Sequence, residues 1–134
     1  MDWERLDDVL SRVERAMLAL SSGSGLKRPN IEAWRWDEPV ITLTWLGADQ
    51  LKRNIAVRAL SEDEVTIEVN AWRDEDRDEG KARVRNWVHL PVRNMKVPNF
   101  DAELPEALRG AYATVSGWKR ENLKSETFVT TGPI

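Results

Sequence analysis

His89 is the only histidine in this 134-residue sequence, and it is the first residue to consider as a catalytic group. An imidazole can act as a general acid or base near neutral pH. Catalysis also requires a partner group, such as a nucleophile or a carboxylate that orients the ring. No sequence motif places either partner beside His89. The sequence therefore favours a non-enzymatic role, and no catalytic residue is assigned.

Arginine and tryptophan surround this histidine in the segment 81–96, KARVRNWVHLPVRNMK. Arg83, Arg85 and Trp87 follow one another at two-residue intervals, which would align them on one face of an extended strand. Guanidinium groups bind carboxylates and phosphates in bidentate fashion, and indole rings provide large apolar contact areas. The segment therefore predicts a surface that binds an anionic or aromatic group.

The chain has seven tryptophans but only one tyrosine and two phenylalanines. A domain of this size rarely needs so many indoles in its core, and tryptophan is enriched at binding surfaces. Trp34 and Trp36 would share one face if segment 31–38 were extended. Two interpretations stay open with equal weight: a tryptophan-rich binding surface, or a core filled with large side chains.

The composition excludes several kinds of site. The absence of cysteine excludes disulfides, thiolate metal sites and a cysteine nucleophile. The acidic stretch 74–79 lacks the spacing of an EF-hand loop, and the Ser/Gly stretch 21–30 lacks the Gly-Lys-Ser/Thr ending of a phosphate-binding loop. We therefore predict no cofactor and no metal.

Charge and hydropathy predict a cytoplasmic protein. The formal net charge is −3 with both signs interspersed, which gives no overall attraction to nucleic acid or to an anionic membrane. The N-terminus is acidic and amphipathic, whereas a secretory signal begins with a basic and then an apolar block. No apolar run approaches the length of a membrane span.

The spacing of the apolar residues predicts the fold. Spacings of three and four residues predict two helices, at about 2–20 and 101–122. Period-two alternation predicts four strands, at 40–46, 52–60, 65–72 and 81–90. The expected fold class is α+β. It is a two-layer sandwich in which a four-stranded antiparallel meander carries the N- and C-terminal helices on one face, in the order α-β-β-β-β-α.

One domain is expected to span residues 1–134, because this length suits a single core. Segment 21–30 is expected to be a flexible Ser/Gly loop, and segment 125–134 a C-terminal tail. Two segments, 31–38 and 125–131, could each add an edge strand, and the sequence leaves this open.

The alternation also predicts what lies on the sheet face opposite the helices, called here the uncovered face. Its residues would be polar, cationic and aromatic: Thr42, Thr44, Ala56, Arg58, Leu60, Thr66, Glu68, Asn70, Trp72, Arg83, Arg85, Trp87 and His89. Such a face could be solvated, could pack against a protein, or could hold a ligand in a curved sheet.

The leading hypothesis is a non-enzymatic protein-interaction domain that binds a second copy of itself, as a homodimer, or another protein. Nine residues are candidates for the contact surface: Arg58, Glu68, Trp72, Arg83, Arg85, Trp87, His89, Trp34 and Trp36. The alternative is a binding protein or enzyme for a small anionic or aromatic ligand, with a pocket on the curved sheet. Single-stranded nucleic acid is the least favoured partner, because the motif of RNA-recognition domains is absent.

Overall fold

The computed structural model describes residues 3–26, 29–34, 39–47, 49–77, 82–96, 100–119 and 123–129. Within these residues the chain forms two helices and six strands, in the order α1-β1-β2-β3-β4-β5-α2-β6. The elements are α1 Trp3–Ser24, β1 Asn30–Trp34, β2 Val40–Leu46, β3 Lys52–Ser61, β4 Glu64–Arg77, β5 Ala82–Lys96, α2 Phe100–Ser116 and β6 Lys124–Val129. The α+β class predicted from the sequence is confirmed.

The strands form one antiparallel sheet in which they lie side by side in chain order, from β1 to β6. The predicted count of four strands is therefore too low for the described residues. The short strands β1 and β6 extend the meander at its two edges, at segments where the sequence left an extra strand open. Consequently α2 is not C-terminal, because β6 follows it and takes in part of the predicted tail.

Helix α1 is longer than predicted, and it includes the first four residues of the segment assigned to a loop. It ends at Ser24, and the next residue, Gly25, has a φ of 60°, a backbone conformation that favours glycine. Leu20 and Leu26 both pack against the core on either side of this end. The packing of these two leucines thus outweighs the weak helix propensity of the serines between them.

Strands β4 and β5 form a long hairpin that also exceeds the prediction. β4 continues to Arg77 through part of the predicted acidic turn, and β5 continues to Lys96 through a stretch expected to be irregular. A β-bulge makes the second extension compatible with Pro91. Ile67 pairs with Arg93, whereas the next residue of β4 pairs with Pro91, so that Val92 is the extra residue.

The core lies between the two helices and one face of the sheet. It combines apolar side chains of both layers: Leu6, Val9, Leu10, Val13, Met17, Leu104, Ala107, Leu108, Ala111 and Val115 from the helices, and Ile41, Leu43, Trp45, Ile55, Val57, Ala59, Val65, Ile67, Val69, Ala71 and Met95 from the strands. The predicted arrangement of two helices on the aliphatic face is therefore confirmed. Leu90 shares this side through its register with Val69, but it is 44 % exposed.

A charged residue, Arg53, occupies one of these inward positions and is only 6 % exposed. Its Nε donates a hydrogen bond to the carbonyl oxygen of Val115 (3.0 Å), and its Nη2 donates one to that of Trp118 (2.7 Å). These carbonyls lie at and beyond the last turn of α2, where a helix leaves its acceptors unpaired. Arg53 therefore caps α2 from the sheet.

Asp49 completes this arrangement from the turn between β2 and β3. Its two carboxylate oxygens accept hydrogen bonds from Nη1 and Nη2 of Arg53, at 2.9 and 2.8 Å. Gly47 leaves the necessary space, because a Cβ at this position would collide with the guanidinium of Arg53. The hydrogen bonds from Arg53 outweigh the partial burial of Asp49, so that the pKa of Asp49 lies below its ordinary value of 3.8.

We expect Asp49→Asn to lower the free energy of unfolding by about 1–2 kcal/mol at neutral pH, measured by chemical denaturation. A hydrogen bond to a charged group contributes up to about 3 kcal/mol, and solvent screening reduces this for a carboxylate that is 43 % exposed. Because the folded-state pKa of Asp49 is lowered, the stabilisation is present above pH 3.8 and is lost as the pH falls through that lower pKa.

The matched control is Asp63→Asn, which removes a carboxylate from an ion pair with Arg5 in which both side chains are more than half exposed. Its effect should stay below about 0.5 kcal/mol. A difference between wild type and Asp49→Asn that persists unchanged at strongly acidic pH would contradict the role given to the Asp49 carboxylate.

Candidate binding site on the uncovered sheet face

The strand registers align two rows of side chains across the uncovered face. The polar row consists of Thr44, Asn54, Asn70 and His89, one from each of β2 to β5. The tryptophan row consists of Lys52, Trp72, Trp87 and Lys124, one from each of β3 to β6. The rows run side by side and are separated by two residues along each strand, or about 6.7 Å.

Hydrogen bonds connect the whole polar row. Nδ2 of Asn54 donates to Oγ1 of Thr44 (2.9 Å), and Nδ2 of Asn70 donates to Oδ1 of Asn54 (3.0 Å). Nδ1 of His89 lies 2.5 Å from Oδ1 of Asn70. Asn54 is buried although neither helix covers this face, and both ends of its amide have a partner. The row therefore meets the hydrogen-bonding requirement of a buried polar group.

The direction of these bonds determines the tautomer of His89. The amide nitrogen of Asn70 is directed to Asn54, so its oxygen faces the imidazole. An amide oxygen can only accept, so with the two amides oriented as they are here Nδ1 of His89 carries the hydrogen. In a neutral imidazole this leaves the lone pair on Nε2. Because the imidazole is exposed, Nε2 is the nitrogen with which it can accept a hydrogen bond from a bound molecule.

The tryptophan row places two neighbouring indoles between two lysines. Trp72 and Trp87 are cross-strand partners, and both are half-buried. Nζ of Lys124 lies 5.3 Å from the centroid of the Trp87 ring, which is a cation–π distance. Lys52 lies in register with Trp72 on the other side. Three strand spacings of about 4.8 Å separate the backbones of the two lysines, or about 14 Å in total.

One polar atom of this row lacks a partner. Nε1 of Trp87 is buried, and no described residue accepts a hydrogen bond from it. An unpaired buried donor costs about 1–3 kcal/mol. An acceptor on a bound molecule that reached Nε1 would form the missing hydrogen bond and remove this cost.

A groove of about 560 Å³ lies along both rows. Its walls come from five residues of the uncovered face and from two of their neighbours in the hairpin: Asn54, Asn70, Trp72, Trp87 and His89, with Ala71 and Val88. A second depression of about 310 Å³ adjoins it and is lined by Gln50, Lys52, Trp72 and Arg73. The surface thus offers aromatic, cationic and hydrogen-bonding groups around one concave space.

The structure brings together three of the nine residues predicted from the sequence, namely Trp72, Trp87 and His89. Arg58 and Glu68 lie on the same face but outside the groove lining, and they form an ion pair of 3.8 Å with each other. An anion would have to compete with Glu68 for this guanidinium.

The remaining four predicted residues lie elsewhere. Arg85 is in register with Asp74 and Glu126, and Arg83 with Asp76 and Phe128, further along the hairpin from the tryptophan row. Trp34 pairs with Val40 at the opposite edge of the sheet. Trp36 lies outside the described residues.

Sequence reasoning missed three residues of the two rows. Ile55 and Arg53 point to the helices, and Asn54 and Lys52 alternate with them. Extending the alternation to the start of β3 would therefore have placed Asn54 and Lys52 on the uncovered face. Lys124 could not be found in this way, because β6 was not assigned as a strand.

Two further features were sought in the described part of the chain, a metal site and a membrane-spanning helix. No three His, Cys, Asp or Glu side chains there are grouped closely enough to hold a metal ion. Neither α1 nor α2 is long and apolar enough to cross a membrane.

The fold and the two rows define an α+β protein with a grooved, uncovered sheet face. Comparison with known proteins gives no match to any family model, curated protein or solved structure. The function is therefore inferred from the geometry of the groove.

We expect Asn54→Ala to lower the free energy of unfolding by about 1–3 kcal/mol, because it leaves the amide of Asn70 and the hydroxyl of Thr44 without their partner. Asn94→Ala is the control, since Asn94 lies on the same face but is exposed, and its effect should stay within about 0.5 kcal/mol. Chemical denaturation measures both. Equal stabilities of the two variants would show that the polar row does not stabilise the sheet.

Proposed function

We propose that this chain is a non-enzymatic binding protein that takes a planar, anionic small molecule into the groove of the uncovered face. The observation that carries the proposal is the tryptophan row, with its two adjacent indoles between Lys52 and Lys124. Indole faces favour flat apolar rings, and the flanking ammonium groups favour a carboxylate, sulfonate or phosphate on the same molecule.

The size of the groove supports a small molecule as the ligand. Sites for small molecules have volumes of roughly 300–1,000 Å³, and the groove of about 560 Å³ falls in this range. Its lining combines apolar rings with a few polar groups that can fix the orientation of a ligand, among them the amides of Asn54 and Asn70.

The partner of His89 orients its imidazole as a hydrogen-bonding group. A carboxylate beside an imidazole stabilises the imidazolium that forms when the ring takes up a proton. Asn70 supplies a neutral amide oxygen, which orients the ring without adding this stabilisation. The polar row is thus suited to hold His89 in one orientation as a hydrogen-bonding group.

Titration calorimetry with cinnamate, a planar aromatic anion, tests the proposal. We expect wild type to bind cinnamate at least about threefold more tightly than its neutral amide, cinnamamide, because only the anion is attracted by the lysines. Lys124→Gln should remove most of this difference. Trp87→Ala should weaken both ligands, since it removes a stacking surface.

Two control variants match these substitutions in residue type. Lys96→Gln removes an exposed lysine that pairs with Glu64 outside the groove, and Trp3→Ala removes an indole that is 61 % exposed on α1. Both should bind cinnamate as wild type does, and circular dichroism should show an intact fold for all four variants. Failure of wild type to bind cinnamate at millimolar concentration would refute the proposal.

The homodimer expected from the sequence stays a prediction, and it would compete for the same surface. A dimer formed through the uncovered face would cover Trp72 and Trp87, so that ligand binding and dimerisation would exclude each other. Size-exclusion chromatography with light scattering should then show a dimer that cinnamate converts to monomer. A monomer at all concentrations without ligand would contradict the homodimer and leave the small-molecule proposal intact.

A further inference from the structure

We infer that His89 selects among such ligands by accepting a hydrogen bond at Nε2, so that the preferred ligand carries an O–H or N–H group. This inference rests on the proposed function, and it concerns the identity of the ligand rather than the existence of the site. It makes His89 a specificity-determining residue of the groove.

The first step of the argument is the fixed tautomer of His89. Its Nδ1 donates to Asn70, whose own amide nitrogen donates to Asn54, which in turn donates to Thr44. Moving the hydrogen from Nδ1 to Nε2 would place the Nδ1 lone pair against the oxygen of Asn70. To restore a hydrogen bond there, the amides of Asn70 and Asn54 would both have to turn over. With the amides of Asn70 and Asn54 oriented as they are here, the lone pair of a neutral His89 lies at Nε2.

The second step is the position of His89 relative to the cations. His89 is exposed and lines the groove, and it lies two residues from Trp87 on β5. Lys124 is the cross-strand partner of Trp87 on β6. One strand spacing of about 4.8 Å and two residues of about 6.7 Å in total, at right angles, separate the backbones of His89 and Lys124 by about 8 Å.

These two steps define the chemical class of the ligand. Lys124 flanks the indole of Trp87 across the strands, and His89 flanks it along β5. A molecule that reaches from one to the other, about 8 Å between their backbones, is an aromatic acid with a hydrogen-bond donor at the end of its ring opposite to the anion. A hydroxylated aryl carboxylate meets this description, and the corresponding methyl ether lacks only the donor.

The test compares para-coumarate with its para-methoxy ether by titration calorimetry at mildly alkaline pH, where histidine side chains are generally neutral. The two probes share the same ring and the same carboxylate. We expect wild type to bind para-coumarate about threefold to tenfold more tightly, which is the range that one hydrogen bond provides.

Substitutions at His89 identify the source of this preference. In His89→Asn the amide nitrogen can replace Nδ1 as a donor to Asn70, but no atom replaces Nε2. The preference should therefore disappear, because the affinity for para-coumarate falls to that for the methoxy ether. His89→Gln places an amide oxygen at about the distance of Nε2 and should restore part of the preference. Since His89 is exposed, both variants should fold, and circular dichroism checks this.

The outcomes separate this inference from the proposed function. Equal binding of the two probes by wild type would overturn the inference and leave the proposed function standing, as would a preference that survives in His89→Asn. No binding of either probe would overturn both. A preference that is lost in His89→Asn and partly recovered in His89→Gln would support the assignment of Nε2 as the acceptor.

Discussion

The buried guanidinium of Arg53 connects the helical layer of this protein to its sheet. Removing a positive charge from water costs several kcal/mol, and hydrogen bonds with good geometry must offset this cost. Arg53 has four, two to the carboxylate of Asp49 and two to carbonyl oxygens at the end of α2. These bonds fix α2 against the sheet at one end. With α2 and α1 both packed on that side, neither helix lies over the opposite face and its polar and aromatic side chains.

Arg53 and Asn54 are consecutive polar residues that are both buried, one on each side of β3. Arg53 points to the helices and stabilises the layer that forms the core. Asn54 points to the other side and lies at the centre of the polar row, between Thr44 and Asn70. The start of β3 therefore supports both the core and the candidate site. A change in its register would move the guanidinium to the groove and the amide into the apolar layer.

Much of this arrangement could be predicted from the sequence, because the alternation of side chains along a strand determines which face each one occupies. That rule placed Trp72, Trp87 and His89 opposite the helices. It could not reveal the role of Arg53, because alternation alone does not show which partners stabilise a charged residue at an inward position. The edge strands β1 and β6 were left open because pairing with a neighbouring strand, rather than their own sequence, forms them. The cations beside the indoles also differ from those predicted, because Lys124 belongs to β6 and Arg58 pairs with Glu68.

The bulge at Val92 constrains the number of residues between His89 and Met95 on strand β5. Met95 lies six positions after His89, and an unbroken strand would direct residues at this even spacing to the same side. The additional residue at the bulge shifts the alternation of side chains by one position. His89 therefore faces the groove, whereas Met95 is buried beneath the helices. Deleting or inserting one residue between His89 and Met95 would move the side chains of half of this strand to the opposite face of the sheet. The number of residues here is therefore constrained more strictly than their identity, and homologous chains should vary in this segment by substitution rather than by insertion or deletion.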